Sequence, residues 1–280
     1  MNSSLMKKPV LWMALALCSV LAAPAGAEPS MVDLQVADVL CRPGDDVVMR
    51  AKLEENGIRG EDIDNVAVEF RLDGKVLGSS KTDDDGVAVF RLRAPVAGDH
   101  VVKAVFEGTA EYMRGEYNAL LCVRPATTPL MILDIDWTIS MTQNLNTAFG
   151  SSDSPPLKDA AEVVRTLAAK YLPVYVTARA RQLRKRTISW LDRYAFPKGP
   201  VYVLNPKEFP TYNEAKYKKS VLLPMKDLFP KIVAGFGNKE SDVEAYKAAG
   251  IPSVLITERS VPDATCVPAW SAVEQALAGR

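Results

Sequence analysis

Asp134 and Asp136 stand one residue apart at the end of the apolar run Leu130-Met131-Ile132-Leu133. Four consecutive apolar residues read as a strand buried on both faces, and the tip of such a strand in an open α/β sheet is where ligands bind. With Ile135 between them, the two carboxylates share one opening only if the chain leaves strand geometry there. The chemistry that suits such a pair is metal-assisted phosphoryl transfer. One aspartate attacks phosphorus, the other moves a proton to and from the leaving oxygen, and Mg²⁺ neutralises the phosphoryl charge. Taken alone, an Asp-x-Asp reads more readily as two solvated loop acids, so the surroundings must decide.

The surroundings supply a scaffold. Leu157, Ala160, Ala161, Val164, Leu167 and Ala168 fall on one face of a helix expected over 157–170. Pro173 then opens a strand at 174–176. Further strands are expected at 201–204, 232–234 and 253–256, with helices at 183–194, 218–228 and 241–249. This alternation implies a largely parallel sheet covered on both faces.

Four stations punctuate that scaffold: Asp134-Ile135-Asp136, then Val176-Thr177-Ala178-Arg179, then Lys216-Tyr217-Lys218, then Gly235-Phe236-Gly237-Asn238 with Asp242-Val243. In this order they resemble the four motifs of the haloacid dehalogenase superfamily. Together with Trp190-Leu191-Asp192-Arg193, Gly199-Pro200, Ala245-Tyr246-Lys247 and Gly250-Ile251, they look like the catalytic domain of lipins, Mg²⁺-dependent phosphatidate phosphatases. Related domains in phosphatidylinositol-transfer proteins keep this fold with a degenerate motif, whereas both aspartates are present here. One departure is Trp137, a bulky ring beside the second aspartate where lipins have Gly.

The resemblance implies roles. Asp134 would be the nucleophile and Asp136 the general acid/base. Mg²⁺ would be held by Asp134, the Asp136 carbonyl and the fourth station, where Asn238 and Asp242 are both candidates. Thr177 would bind phosphoryl oxygens, and Lys218, between Lys216 and Lys219, would neutralise the phospho-group. The separations between stations leave little room for a large cap over the site.

Arg179, Arg181, Arg184, Lys185 and Arg186 form a dense basic run directly after Thr177. It reads either as a patch selecting an anionic substrate or membrane surface, or as an ordinary solvated helix face. The run lacks interleaved aromatics and any nucleic-acid motif, so nucleic acid is not an expected partner.

Ahead of this half, residues 31–125 hold short alternating runs: Val47 to Met49, Val66 to Leu72, Val87 to Leu92 and Val101 to Phe106. Asp73-Gly74 signals a hairpin, and Asp84-Asp85-Gly86 another tight turn. An all-β sandwich is expected over 28–125, resembling bacterial immunoglobulin-like modules, whose partner here the sequence does not name. The acidic turn Asp83 to Asp85 is either a solvated tip or a Ca²⁺ ligand set. A short linker at 126–129, bracketed by Pro125 and Pro129, leads to the catalytic half at 130–280.

Lys7 and Lys8, the apolar stretch Val10 to Ala23 and Ala25-Gly26-Ala27 read as a secretory signal over 1–27, so export, most simply to the periplasm, is expected. A lipoprotein box at Cys18 fits poorly because Leu17 precedes the cysteine. Cys41 and Cys122 either pair in an oxidising compartment or stand as two buried thiols. His100 is the single histidine, which excludes a histidine-based metal cluster or a Ser/His triad. Formal charge is zero overall, but residues 31–128 sum to −6 and residues 129–280 to +5.

The expected activity is an exported Mg²⁺-dependent phosphatase working through an aspartyl-phosphate, on phosphatidate or a related phospholipid, with peripheral contact to anionic membrane. The alternatives are a broad-specificity phosphomonoesterase acting on small phosphoesters and a catalytically weak lipid-binding module.

Overall fold

The computed structural model describes residues 28–57, 60–141, 154–206, 209 and 211–278. The expected signal at 1–27 lies outside the described residues, as do residues 142–153, 207, 208 and 210 between the stations, on which the expectation of little cap partly rests.

The N-terminal part contains strands β1 (Val32–Val36), β2 (Val39–Cys41), β3 (Asp46–Glu55), β4 (Ala67–Leu72), β5 (Lys75–Lys81), β6 (Val87–Arg93), β7 (Gly98–Phe106) and β8 (Gly115–Val123). They form a three-stranded sheet in the order β1-β3-β6 and a five-stranded sheet in the order β2-β8-β7-β4-β5. All pairs are antiparallel except β2 with β8. Alternate residues of both sheets, including Leu34, Met49 and Leu53 from one and Phe70, Val102 and Leu121 from the other, meet in one core. Period-two alternation makes this a two-layer sandwich. The β4–β5 hairpin turns on Asp73 and Gly74 with φ of 48° and 85°, the left-handed pair that a tight hairpin requires. At the tip of residues 83–86, Asp83 Oδ1 accepts from the N–H groups of Asp85 and Val87 at 3.1 and 2.8 Å. The acidic triplet is therefore an exposed, self-bonded turn.

Strand β2 also settles the cysteines. Cys41 faces Val123 across the β2–β8 pair and Cys122 faces Leu40. Residues offset by one along a strand point to opposite faces. Cys41 accordingly enters the sandwich core and Cys122 the neighbouring one, both as free thiols. The pairing alternative is thus corrected: their Cβ vectors diverge, and a disulfide needs them convergent. Burial pushes the two thiols up to about 11 and about 12.

After a turn in which Thr128 N–H donates to Pro125 O, the second part runs β9 (Leu130–Leu133), α1 (Ala160–Ala168), β10 (Leu172–Ala180), α2 (Arg184–Arg193), β11 (Val201–Leu204), α3 (Glu214–Leu228), β12 (Ile232–Gly237), α4 (Glu240–Ala248), β13 (Ser253–Ile256), β14 (Ala264–Val267) and α5 (Val273–Leu277). The six strands form one parallel sheet in the order β11-β10-β9-β12-β13-β14. Counted from β9 this is the order 3-2-1-4-5-6, which reverses between β9 and β12 and opens a crevice at their C-terminal ends. Alternation along β9 sends Met131 and Leu133 to the core under α1, α2 and α5, and Leu130 and Ile132 to the core under α3 and α4. Helix α3 starts four residues before the expected 218 because Asn213 Oδ1 caps Lys216 N at 2.8 Å.

The two parts share a boundary. Leu40, Leu120 and Cys122 of the sandwich join the core under α3 and α4. At the edge strand β11, Asp38 Oδ2 accepts the Val201 N–H at 2.9 Å, and the Tyr202 hydroxyl accepts the Leu40 N–H at 3.1 Å. The sandwich thereby covers an edge that would otherwise expose unpaired backbone groups.

Candidate active site

Strand β9 ends at Leu133, and the next residues fold back, with the N–H groups of Thr138, Ile139 and Ser140 all donating to the Ile135 carbonyl at 3.0–3.2 Å. This is the departure from strand geometry that two convergent aspartates require. Trp137 completes the turn with φ of 56°, a left-handed backbone unusual for so large a residue, and its indole is 43% exposed. Its own N–H donates to Ser140 O at 2.9 Å.

Asp134 is buried. Its Oδ1 lies 2.8 Å from Lys218 Nζ of α3, and its Oδ2 accepts from the Thr138 hydroxyl at 3.2 Å. Lys218 is only 1% exposed and also bonds Asp242 Oδ1 of α4, so one ammonium ties the first and fourth stations together. Burial pushes the Asp134 carboxyl up to about 6, with Lys218 opposing that rise and Asp242 adding to it. For Lys218, burial works to lower the ammonium, but the two carboxylates overcome it and hold the pKa well above the ordinary lysine range. A cation held charged beside a buried carboxylate is what a phosphoryl-transfer site needs against incoming phosphate.

Asp242 has little capacity left. Besides Lys218, its Oδ2 accepts the backbone N–H groups of Asn238 and Lys239 at 3.0 and 3.2 Å, tying down the start of α4. Gly237 makes this possible, because a Cβ there would stand 2.5 Å from the Asp242 carboxyl. The neighbouring Asn238 Oδ1 is buried and has no hydrogen-bond partner among the described residues. A buried amide oxygen without a donor is costly unless a cation or water satisfies it. Asp134, the Asp136 carbonyl and Asn238 all offer oxygen donors, the ligand chemistry that Mg²⁺ takes, and are the residues that would hold it. No cluster of three or more His, Cys, Asp or Glu side chains with metal-holding geometry occurs among the described residues.

Thr177 is fully buried near the end of β10, and its hydroxyl accepts the Arg179 N–H at 3.3 Å. Between Thr177 and Ala180 the β10–β11 register shifts. Such an irregularity re-aims a side chain, and here Arg179 turns onto Asp136. The Arg179 Nε lies 3.2 and 3.1 Å from Asp136 Oδ1 and Oδ2, its Nη2 2.8 Å from Oδ1, and its Nη1 donates to the Thr187 hydroxyl of α2 at 3.3 Å.

The structure corrects the reading of the basic run as a surface. Arg179 and Arg184 are 1% and 2% exposed. Arg184 pairs with Asp38 at 2.5 Å and donates to the Tyr117 hydroxyl and the Val201 carbonyl at 2.9 and 2.8 Å. Arg181 donates to both Glu54 carboxylate oxygens at 2.9 Å, and Lys185 bonds Asp33 at 2.8 Å. Arg186 also has a polar or electrostatic partner. Arg181, Arg184 and Lys185 meet acidic residues of the sandwich and Arg179 meets Asp136, so the buried Arg179 and Arg184 are not surface cations, whereas Lys185 and Arg186 stay exposed.

The site thus unites Asp134, Asp136, Lys218, Asn238 and Asp242 with Thr177 beside them, and reassigns Arg179 from the surface to Asp136. Sequence reasoning passed over three contributors. Thr138 was visible as the Thr of Asp-x-Asp-x-Thr. Tyr246, whose hydroxyl donates to Phe236 O at 2.8 Å, was seen only as part of the Ala245-Tyr246-Lys247 motif, with no role attached, and Trp270, whose Nε1 donates to the Thr138 carbonyl at 2.6 Å, had no local signal.

The strand order and the placement of these side chains define a haloacid-dehalogenase-like α/β fold. Comparisons narrow it. Residues 131–256 match the family model described as PITM 1-3, LNS2 domain, so the C-terminal part is LNS2-like. The membrane-associated phosphatidylinositol transfer protein 1 of Rattus norvegicus is 27% identical over 210 residues, 72% of this chain and 16% of that protein. The membrane-associated phosphatidylinositol transfer protein 3 of Mus musculus is 24% identical over 222 residues, 76% of this chain and 22% of that protein. The chain therefore spans about a fifth or less of the length of these relatives. A match covering 72% of the chain cannot be confined to residues 130–280, so it includes part of the sandwich. Among solved structures, a haloacid-dehalogenase-superfamily hydrolase from Geobacter sulfurreducens superimposes with a TM-score of 0.41 at 14% identity, covering 54% of this chain and all of that one. A chain of the Pnkp1/Rnl/Hen1 complex gives 0.39 at 14% identity, with 46% of each chain covered.

Proposed function

We propose that this chain is a Mg²⁺-dependent phosphatase acting through an aspartyl-phosphate, with phosphatidate or a related phospholipid as substrate. The observation that carries the proposal is the buried Asp134 carboxylate at a strand tip, held by Lys218 and beside Asp136. The Asp134 carboxylate attacks phosphorus as the bond to the leaving oxygen breaks, and Asp136 in its acid form donates its proton to that oxygen. Asp136, now a carboxylate, takes a proton from the water that attacks the phosphorus of the aspartyl-phosphate. Inorganic phosphate leaves and Asp134 is restored. Lys218 and the Thr177 hydroxyl face the charge on the phosphoryl oxygens. Asp134, the Asp136 carbonyl and Asn238 would hold Mg²⁺, which would supply further neutralisation of that charge.

The lipid assignment is supported by the relatives, which are named as membrane-associated phosphatidylinositol transfer proteins. Those names, and the half-exposed Trp137 beside Asp136, also support a second reading in which the site binds a phospholipid with little turnover. Export to the periplasm rests on residues 1–27, and an immunoglobulin-like character for the sandwich rests on its turns and on the parallel β2–β8 pairing.

Phosphate release is measured with and without Mg²⁺ on phosphatidate vesicles and on small soluble phosphomonoesters. Release from vesicles that vanishes in Asp134→Asn and on Mg²⁺ removal supports the proposal. Equal turnover of every small ester selects a broad-specificity phosphomonoesterase. Vesicle binding without release selects the lipid-binding module.

A further inference from the structure

We infer that Arg179 is a positioning residue that aims Asp136 for proton delivery, an inference that rests on the phosphatase reading above. The guanidinium is 1% exposed and its fork grips one carboxylate, with contacts of 3.2 and 2.8 Å to Oδ1 and 3.1 Å to Oδ2. It is fixed from two other directions: its Nη1 donates to Thr187 of α2 at 3.3 Å, and its own N–H reaches the Thr177 hydroxyl at 3.3 Å. Asp134 already has Lys218 as its cation. Arg179 is thus matched to Asp136 specifically. Because Oδ1 accepts two of the three contacts, Oδ2 is the less engaged oxygen. That oxygen gives its proton to the leaving alkoxide as the phosphorus–oxygen bond breaks, and it later takes a proton from the attacking water. A planar fork fixes the carboxylate plane in a way a lysine ammonium does not.

The test exploits the leaving group. An alkyl phosphate such as glycerol 3-phosphate needs a proton on its departing oxygen, whereas the stable nitrophenolate of p-nitrophenyl phosphate departs without one. Arg179→Lys, Arg179→Met and Asp136→Asn are compared with the parent on both esters in Mg²⁺. For the Arg179 variants, kcat on the alkyl ester should fall about 100-fold, the low end of what a positioned general acid contributes. The loss on p-nitrophenyl phosphate should be about tenfold smaller, with KM little changed on either ester. Adding Arg179→Lys to Asp136→Asn should cost little more, because both act on one proton. Thermal unfolding identifies a variant that does not fold, and if Arg179→Met is one, Arg179→Lys decides. Equal losses on both esters, an effect confined to KM, or additive losses in the double variant would overturn the positioning role while leaving the phosphatase reading intact. If the parent turns over only phosphatidate vesicles, that lipid, whose leaving group is an alkoxide, replaces the alkyl ester and an unchanged kcat in the Arg179 variants overturns the role; a parent without turnover on either ester or on phosphatidate vesicles would remove the phosphatase reading, and this role with it.

Discussion

Asp38 and Arg184 form a buried ion pair across the boundary between the two parts of the molecule, at 5% and 2% exposure. Asp38 sits between β1 and β2, yet its carboxylate also accepts the Leu120 N–H of β8 at 2.8 Å and the Val201 N–H of β11 at 2.9 Å. One side chain therefore joins both parts. Removing one member of such a pair leaves the other charged and unsolvated, which costs roughly 3–5 kcal/mol. Arg184→Met should lower stability by about that amount in denaturant titration, whereas Lys185→Gln, whose ion pair is half exposed, should change it by under about 1 kcal/mol. A similar small effect from both would remove the special role of the buried pair.

The partnerless Asn238 Oδ1 leads to a binding prediction that does not depend on turnover. Mg²⁺ at about a hundred times its dissociation constant should raise stability by about 2.7 kcal/mol, read as an upward shift in thermal unfolding. Asn238→Ala should lose most of that shift while the metal-free protein unfolds at nearly the parental temperature. A full Mg²⁺ shift in the variant would take Asn238 out of the ligand set.

His100 gives the sandwich a pH dependence. Its Nδ1 is 2.7 Å from the Asp73 carboxylate and its Nε2 2.9 Å from the Val96 carbonyl, so the ring faces acceptors at both nitrogens. The hydrogen bond to Asp73 is the main cause of a raised imidazole pKa, against a lowering by burial. The added stability is therefore complete below the unfolded value of about 6.5 and is lost as pH rises through the higher folded value. Thermal unfolding followed from pH 5 to 9 should show this decline in the parent and a flatter profile in His100→Gln. Parallel profiles would mean that His100 is not the group responsible.

Trp137 holds a left-handed backbone, φ 56°, which only glycine adopts without strain. Replacing it with Gly should relieve roughly 1–3 kcal/mol of local strain, partly offset by the greater flexibility that glycine gives the unfolded chain. A small rise in unfolding temperature is expected, together with changed turnover of bulky phosphoesters. A clear fall in stability would show that the indole packs more favourably than its 43% exposure suggests.

Much of the C-terminal half was legible because its signals are local. A four-residue apolar run, an amphipathic helix and short motifs at strand ends each announce themselves within a dozen residues, and β9, α1 and β12 appear where such signals lie. The Asp73-Gly74 hairpin was readable for the same reason. The interface was not. Whether Arg184 faces solvent or Asp38 depends on residues 146 positions apart, and a basic run looks the same before either partner is placed. The −6 and +5 halves were the one trace of it, since opposite charges segregated along a chain mark surfaces able to meet. The edge strands β1, β2 and β14 were missed because short or polar strands lack clear alternation. The grip of Arg179 on Asp136 depends on a register shift in β10 that composition does not encode.

The complementary charge of the two parts has a consequence for a severed chain. A nick in the turn between Val123 and Leu130 would cut the covalent tether but leave the shared core and the pairs Asp38–Arg184, Glu54–Arg181 and Asp33–Lys185 in place. The tether's contribution is an effective concentration in the millimolar range. Without it, the fragments become an anionic and a cationic partner whose reassociation is fast at low salt and slows as ions screen the approach. Co-expressed as separate polypeptides, they should assemble as a heterodimer, and the assembly's near-zero net charge would belong to neither fragment alone.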